Sequence, residues 1–154
     1  MSEKEVSKNA RKRCREIMTS NVTTANREMS LQDVAVLMRD GDMGSLPVVE
    51  DKTLVGIVTD RDIVVRAIAD GNDVTTKIGD VMTTEIFSVN PNDFVFEAIR
   101  LMGDKQIRRV PVVEESGELA GIISMADIAL EIEDEREIVE TLEEISSGKA
   151  FWSK

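Results

Sequence analysis

The chain has 154 residues, 42% of them hydrophobic, enough for a sizeable core, and a formal charge of −11 from 19 basic and 30 acidic side chains. The acidic balance argues against a general nucleic-acid binder, and the absence of any His or Tyr removes His-based triads, His metal sites and imidazole proton transfer. A single Cys rules out an intramolecular disulfide, and no apolar run approaches the ~20 residues of a membrane span or forms a signal-peptide core, so a soluble cytoplasmic protein is expected.

Residues 1–14 form a basic arm. Lys4, Lys8, Arg11, Lys12, Arg13 and the adjoining Arg15 stand against Glu3 and Glu5, a net +4. It reads either as a solvated lead-in helix or as an arm that touches nucleic acid. Cys14, between Arg13 and Arg15, has surroundings that favour its thiolate, so it reads as an exposed thiol or as a reactive, sensing one. Residues 17–24 form a short extended segment. Ser30, with Asp33 three residues later, caps a helix whose apolar face is Leu31, Val34, Ala35, Leu37 and Met38. Asp40-Gly41-Asp42 ends it. Met29, Met38 and Met43 read as core fillers rather than ligands.

Residues 45–50 make a strand containing Pro47, which places it at an edge or a strand start. Asp51-Lys52 turns the chain, and residues 54–58 make a second strand covered on both faces. Thr59 then opens a helix carrying Ile63, Val64, Ala67 and Ile68, which Gly71 closes. Residues 72–77 are a polar linker. In the following stretch Asp93 is the expected cap for a helix bearing Phe94, Val95, Ala98, Ile99, Leu101 and Met102. A second Pro strand follows at Pro111. The last helix starts near Met125 and runs to about Ile145. Its later part carries eight acids and one Arg beside an apolar stripe of Ile132, Ile138, Val139, Leu142 and Ile145. That stripe packs on its own domain or on another subunit, and the acids do not fit an EF-hand. Phe151-Trp152 lies beyond it.

The chain repeats itself. Ile17-Met18-Thr19 matches Val81-Met82-Thr83, Met38 matches Met102, and Leu46-Pro47-Val48-Val49 matches Val110-Pro111-Val112-Val113, all 64 positions apart. Gly56-Ile57-Val58-Thr59-Asp60-Arg61-Asp62 matches Gly121-Ile122-Ile123-Ser124-Met125-Ala126-Asp127 at 65, with one residue added in the turn 114–118. Each of these stretches runs from a buried strand into a helix start. A hydroxyl with an Asp three residues on is first of all a capping box, and Thr59/Asp62 and Ser124/Asp127 have that form.

The ordered series, present twice over residues 15–130, resembles the CBS domain, and the tandem resembles the CBS pair or Bateman module. The resemblance implies an α/β (α+β) fold of two β-α-β-β-α units packed about a pseudo-two-fold axis: residues 15–71 and 78–130, joined by the linker 72–77 and followed by the acidic extension 131–154. It further implies a non-catalytic, regulatory and energy-sensing role, with AMP, ADP, ATP, S-adenosylmethionine or related dinucleotides held in clefts between the units. Asp62 and Asp127 would contact the ribose hydroxyls, Thr59 and Ser124 the ribose or phosphate, and Val22 and Ile86 the adenine. Arg61, Arg108 and Arg109 would meet phosphate. They are unevenly distributed, because Ala126 stands opposite Arg61, and Gly44-Ser45 opposite Arg108-Arg109. Unequal clefts are therefore expected. No metal is expected, with Mg²⁺ able to accompany ATP. The implied partners are an adenine nucleotide, a second copy in a homodimer and a protein target; a membrane or nucleic acid is not expected. The alternative is an interaction module that dimerises with its clefts empty.

Overall fold

The structure is a computed structural model describing residues 12–131. Its main elements are α1 (Cys14–Ile17), α2 (Leu31–Gly41), β1 (Ser45–Glu50), β2 (Thr53–Thr59), α3 (Asp60–Asp62), α4 (Val95–Lys105), β3 (Arg109–Val113), β4 (Leu119–Ser124) and α5 (Met125–Glu131). A π-helical stretch (Ile63–Ile68) continues α3, and a 3₁₀ turn (Ile78–Asp80) precedes Met82. Lys4, Lys8 and Arg11 of the arm, the acidic helix past Glu131 and Phe151-Trp152 lie outside the described residues. The chain divides into two units. The first is Thr23–Ile86 with Ser116–Leu119; the second comprises the residues up to Val22, Phe87–Glu115 and the residues from Ala120 on.

In the first unit α2 starts where the sequence places it. The Asp33 N–H donates to the Ser30 hydroxyl (3.1 Å) and the Ser30 N–H to the Asp33 carboxylate (3.3 Å). Its exit is taken by Asp42 in the left-handed region (φ 49°), which a short polar side chain tolerates better than most. Leu31, Val34 and Met38 are buried, while Ala35 faces solvent. The β1–β2 hairpin is antiparallel and turns on Asp51 and Lys52, both at positive φ (49° and 69°), as a type I′ turn requires. Pro47 sits inside β1 without breaking the ladder. Its carbonyl accepts from the Ala25 N–H (2.9 Å), so its missing donor is on the Ala25 side and not toward β2. The linker is pinned to the start of α2, whose Leu31 and Gln32 N–H groups donate to the Thr76 and Val74 carbonyls (2.9 and 3.1 Å).

The helix after Thr59 buries less than its apolar pattern suggests. Ala67 is buried and Ile63 half-buried, but Val64 and Ile68 are 56% and 61% exposed. The stretch is apolar around more of its circumference than its unit covers.

The second unit repeats the hairpin with β3 and β4. Pro111 again accepts from a flanking strand residue, Val89 (3.0 Å). The start of α4 differs from expectation. Asp93 does not cap it; its carboxylate accepts from the Asn90 N–H (2.8 Å) within the preceding loop. The first free donor of the helix, the Val95 N–H, goes instead to the Lys12 carbonyl (2.7 Å), a partner far away in sequence.

Each unit has its own core. Leu31, Val34, Met38, Leu46, Val48 and Val58 in the first have Val95, Ala98, Met102, Val110, Val112 and Ile123 as buried counterparts in the second. The lead segments are exchanged relative to the sequence repeat. Ile78, Val81 and Met82 pack in the first core, and Cys14 and Ile17 in the second. Cys14 is thus the counterpart, 64 residues earlier, of the buried Ile78. It is neither an exposed thiol nor an activated one. Burial, with Asp93 and Glu97 adding to it, pushes its thiol up to about 12. Arg13 and Arg15, which suggested the opposite, point elsewhere: Arg13 donates to the Asn92 carbonyl (2.7 Å) and covers the Phe94 ring, and Arg15 donates to Asn92 Oδ1 (2.9 Å).

Candidate ligand-binding site

Each unit contains one copy of the same arrangement, at the point where a buried strand runs into a helix. In the first, the Asp62 N–H donates to Thr59 Oγ1 (3.0 Å) and the Thr59 N–H donates to Asp62 Oδ2 (3.0 Å). In the second, the Asp127 N–H donates to Ser124 Oγ (3.1 Å) and the Ser124 N–H to Asp127 Oδ2 (3.0 Å). The capping boxes are therefore formed in both copies. They leave Oδ1 of each aspartate outside the box, and both residues are half-buried, open enough to meet another molecule.

A third residue faces each carboxylate. The Thr83 hydroxyl lies 3.3 Å from both Asp62 oxygens, and the Thr19 hydroxyl 3.4 Å from both Asp127 oxygens. These threonines follow the Met of the repeated Met-Thr pair and were landmarks of the repeat rather than expected site residues. The available signal was their 64-residue offset. Backbone pairing brings them in. Thr83 and Ile57 exchange N–H···O bonds of 2.8 and 2.9 Å, and Thr19 and Ile122 exchange bonds of 2.8 and 3.0 Å. The approach requires glycine. A Cβ on Gly56 would sit 2.5 Å from Met82 Sδ, and one on Gly121 would sit 2.6 Å from the Thr19 carbonyl oxygen.

The remaining expected residues surround this geometry unevenly. Val22 and Ile86, both half-buried, come three residues after Thr19 and Thr83; Val22 ends the first segment of its unit and Ile86 the main segment of its own. Arg61 is exposed in α3, with its N–H donating to Asp60 Oδ1 (2.8 Å). The backbone of Arg108 abuts the start of α5, where its carbonyl accepts from the Met125 N–H (3.0 Å); exposed Arg109 opens β3. In the first unit the matching bond runs from the Asp60 N–H to the Gly44 carbonyl (2.9 Å). A side chain at Gly44 would meet the Asp60 carboxylate at 3.1 Å. Hence one helix start is bordered by Gly44, with Asp60 and Arg61 on the helix, and the other by Arg108 and Arg109, with the uncharged Met125 and Ala126 on the helix.

Chemically, each site offers a fixed carboxylate and neighbouring hydroxyls, suited to accept from and donate to a polyhydroxylated molecule. Among the described residues no three His, Cys, Asp or Glu side chains cluster to hold a metal ion, and no helix is long and apolar enough to cross a membrane.

Comparison with known proteins agrees with this doubled geometry. The family profile of the CBS domain matches residues 14–68 and again 78–134. The chain belongs to the CBS-domain family, as a tandem pair with an α+β fold. It is 40% identical over 116 residues to the CBS domain-containing protein YhcV of Bacillus subtilis, covering 75% of this chain and 82% of that one. Among solved structures it is similar to Hypoxic Response Protein I with two coordinated zinc ions (37% identity, TM-score 0.71, 77% of this chain and 98% of that one). It is also similar to CBSX2 in complex with AMP (27%, TM-score 0.68, 77% and 93%). A further likeness is the CBS pair of MJ0100 with 5′-methylthioadenosine and S-adenosylmethionine (26%, TM-score 0.67, 77% and 94%).

Proposed function

We propose that this chain is a non-catalytic regulatory module that binds an adenosine nucleotide and signals its presence to a protein target. The observation that carries the reading is the hydroxyl–aspartate box, formed at a strand-to-helix junction in both units. Asp62 and Asp127 accept from the two cis-hydroxyls of a ribose. Thr59 and Ser124 meet ribose or phosphate, and Val22 and Ile86 lie along the adenine. Arg61, Arg108 and Arg109 supply the cations that a phosphate needs. Support comes from relatives whose structures hold AMP or S-adenosylmethionine. The Arg108-Arg109 pair at the second helix start, against Arg61 offset by Asp60 at the first, favours phosphate on the Asp127 side and makes the two sites unequal. Signalling works through a ligand's differential affinity for two states of the module or its dimer.

A second reading is a dimerising interaction module with empty sites, and one observation bears on its dimer. Val64, Val65 and Ile68 line the helix after Thr59 at 56%, 48% and 61% exposure. It supports a homodimer under either reading.

The test is thermal unfolding with AMP, ADP, ATP and S-adenosylmethionine, on the natural chain and on Asp62→Ala and Asp127→Ala. A ligand at ~100 times its Kd adds about 2.7 kcal/mol. Each variant is compared with its own ligand-free midpoint, because losing the box costs stability by itself, about 0.5–2 kcal/mol. A shift lost with Asp127→Ala and retained with Asp62→Ala supports binding and the inequality together. Absence of any shift, with a stable dimer by sedimentation, moves the reading to the interaction module.

A further inference from the structure

Two threonine hydroxyls straddle the two aspartates, and nothing in the capping boxes requires them. In both units the hydroxyl is equidistant from the carboxylate oxygens, at 3.3 Å (Thr83, Asp62) and 3.4 Å (Thr19, Asp127). These separations are longer than a fully formed O–H···O bond of roughly 2.5–3.0 Å, so the hydroxyl is shared and not committed to either oxygen. The placement is built into the backbone. Each threonine is held by a reciprocal pair of main-chain bonds to a strand residue, with a glycine clearing its approach. It recurs where the surrounding sequence differs, with Asp60-Arg61 beside one site and Met125-Ala126 beside the other.

A count of acceptors suggests the use. A carboxylate offers about four lone-pair sites. Asp62 Oδ2 spends one on the Thr59 N–H. A vicinal diol takes two, which leaves one, and the Thr83 hydroxyl is placed to fill it. Asp127 has the same count, with Ser124 and Thr19. Resting on the nucleotide reading above, we propose that Thr83 and Thr19 are positioning residues for the bound diol. Each holds its aspartate's carboxylate plane in the orientation that presents the remaining lone pairs to the ligand. On binding, the hydroxyl passes from straddling both oxygens to a single bond with one of them, and frees the other. Only hydrogen bonds are exchanged.

The test is calorimetric titration of the full chain with AMP, using Thr83→Val and Thr83→Ser, and likewise Thr19→Val and Thr19→Ser. Valine keeps the shape and removes the hydroxyl; serine restores the hydroxyl. Valine is expected to weaken binding at its own site about tenfold, on the scale of one charge-assisted hydrogen bond, and serine to stay within about twofold of the natural chain. Valine variants that bind like the natural chain, or serine variants as weak as valine, overturn the proposal. A ligand-free measurement separates this from the reading it rests on. Thr83→Val is expected to lower the thermal midpoint in the natural background and to leave it unchanged in Asp62→Ala. A natural chain that binds no adenosine compound sinks the nucleotide reading. The midpoints then judge the Thr–Asp contact alone, and equal losses in both backgrounds overturn it.

Discussion

Replacing Gly121 by alanine tests the close approach on which the site depends. The added Cβ would lie 2.6 Å from the Thr19 carbonyl oxygen and 2.9 Å from Met18 Sδ. Restoring ordinary contact moves the 18–19 segment away by roughly 0.8 Å, or bends β4 by as much. Both backbone bonds between Thr19 and Ile122 (2.8 and 3.0 Å) are strained by that shift, each worth about 1 kcal/mol. Overpacking adds about 1–3 kcal/mol, and the stiffer unfolded chain returns about 0.4–1 kcal/mol. The expected destabilisation is about 2–4 kcal/mol, read from the midpoint of urea unfolding with the slope unchanged. Two glycines calibrate it. Gly71→Ala meets no atom within 4 Å and only loses comfort at φ +80°, about 1 kcal/mol. Gly56→Ala meets Met82 Sδ at 2.5 Å but backbone only at 3.1 Å, so a flexible side chain absorbs part of the clash and the cost is intermediate. A Gly121→Ala variant no less stable than Gly71→Ala would refute the argument that a backbone clash controls this site.

Two further outcomes follow from local geometry. Lys52→Gly should raise stability by up to about 1 kcal/mol in the same assay, because Lys52 holds φ 69° in the hairpin turn and glycine adopts that region without penalty. Cys14 should resist a thiol reagent at pH 8 until the chain unfolds. Its thiol is raised from 9.0 to about 12 in the folded chain, so the unfolded chain ionises first and stability falls as pH rises from about 9 to 12. Below pH 9 both states keep the proton and the contribution is constant. Cys14→Ala should remove that part of the alkaline slope, and an unchanged slope would show the thiol to be outside the core.

What was legible in the sequence is local. The caps at Ser30, Thr59 and Ser124, the Asp51-Lys52 turn and the stop at Gly71 each depend on atoms three or four residues apart, and each forms as read. The repeat added long-range information, because two copies of one pattern imply two copies of one unit. Where local reasoning was applied to a group with distant partners, it failed. Asp93 has the form of a cap, but the Lys12 carbonyl takes the donor that Asp93 would have satisfied. Flanking arginines suggested an exposed Cys14, yet both guanidinium groups are engaged at Asn92 while the thiol turns inward. Its offset from Ile78 was the better guide.

The sequence by itself thus determined the doubled strand-to-helix junction and the two aspartates it carries, since hydrophobic pattern and capping chemistry act over a single turn. Only the tertiary structure decided what faces them. Thr19 meets Asp127 across 108 residues and Thr83 meets Asp62 across 21, because the lead segment of each repeat pairs with a strand of the other. The energy of such a pairing comes from ladder bonds and burial between segments remote in the chain, and a local pattern carries no record of which segments those are.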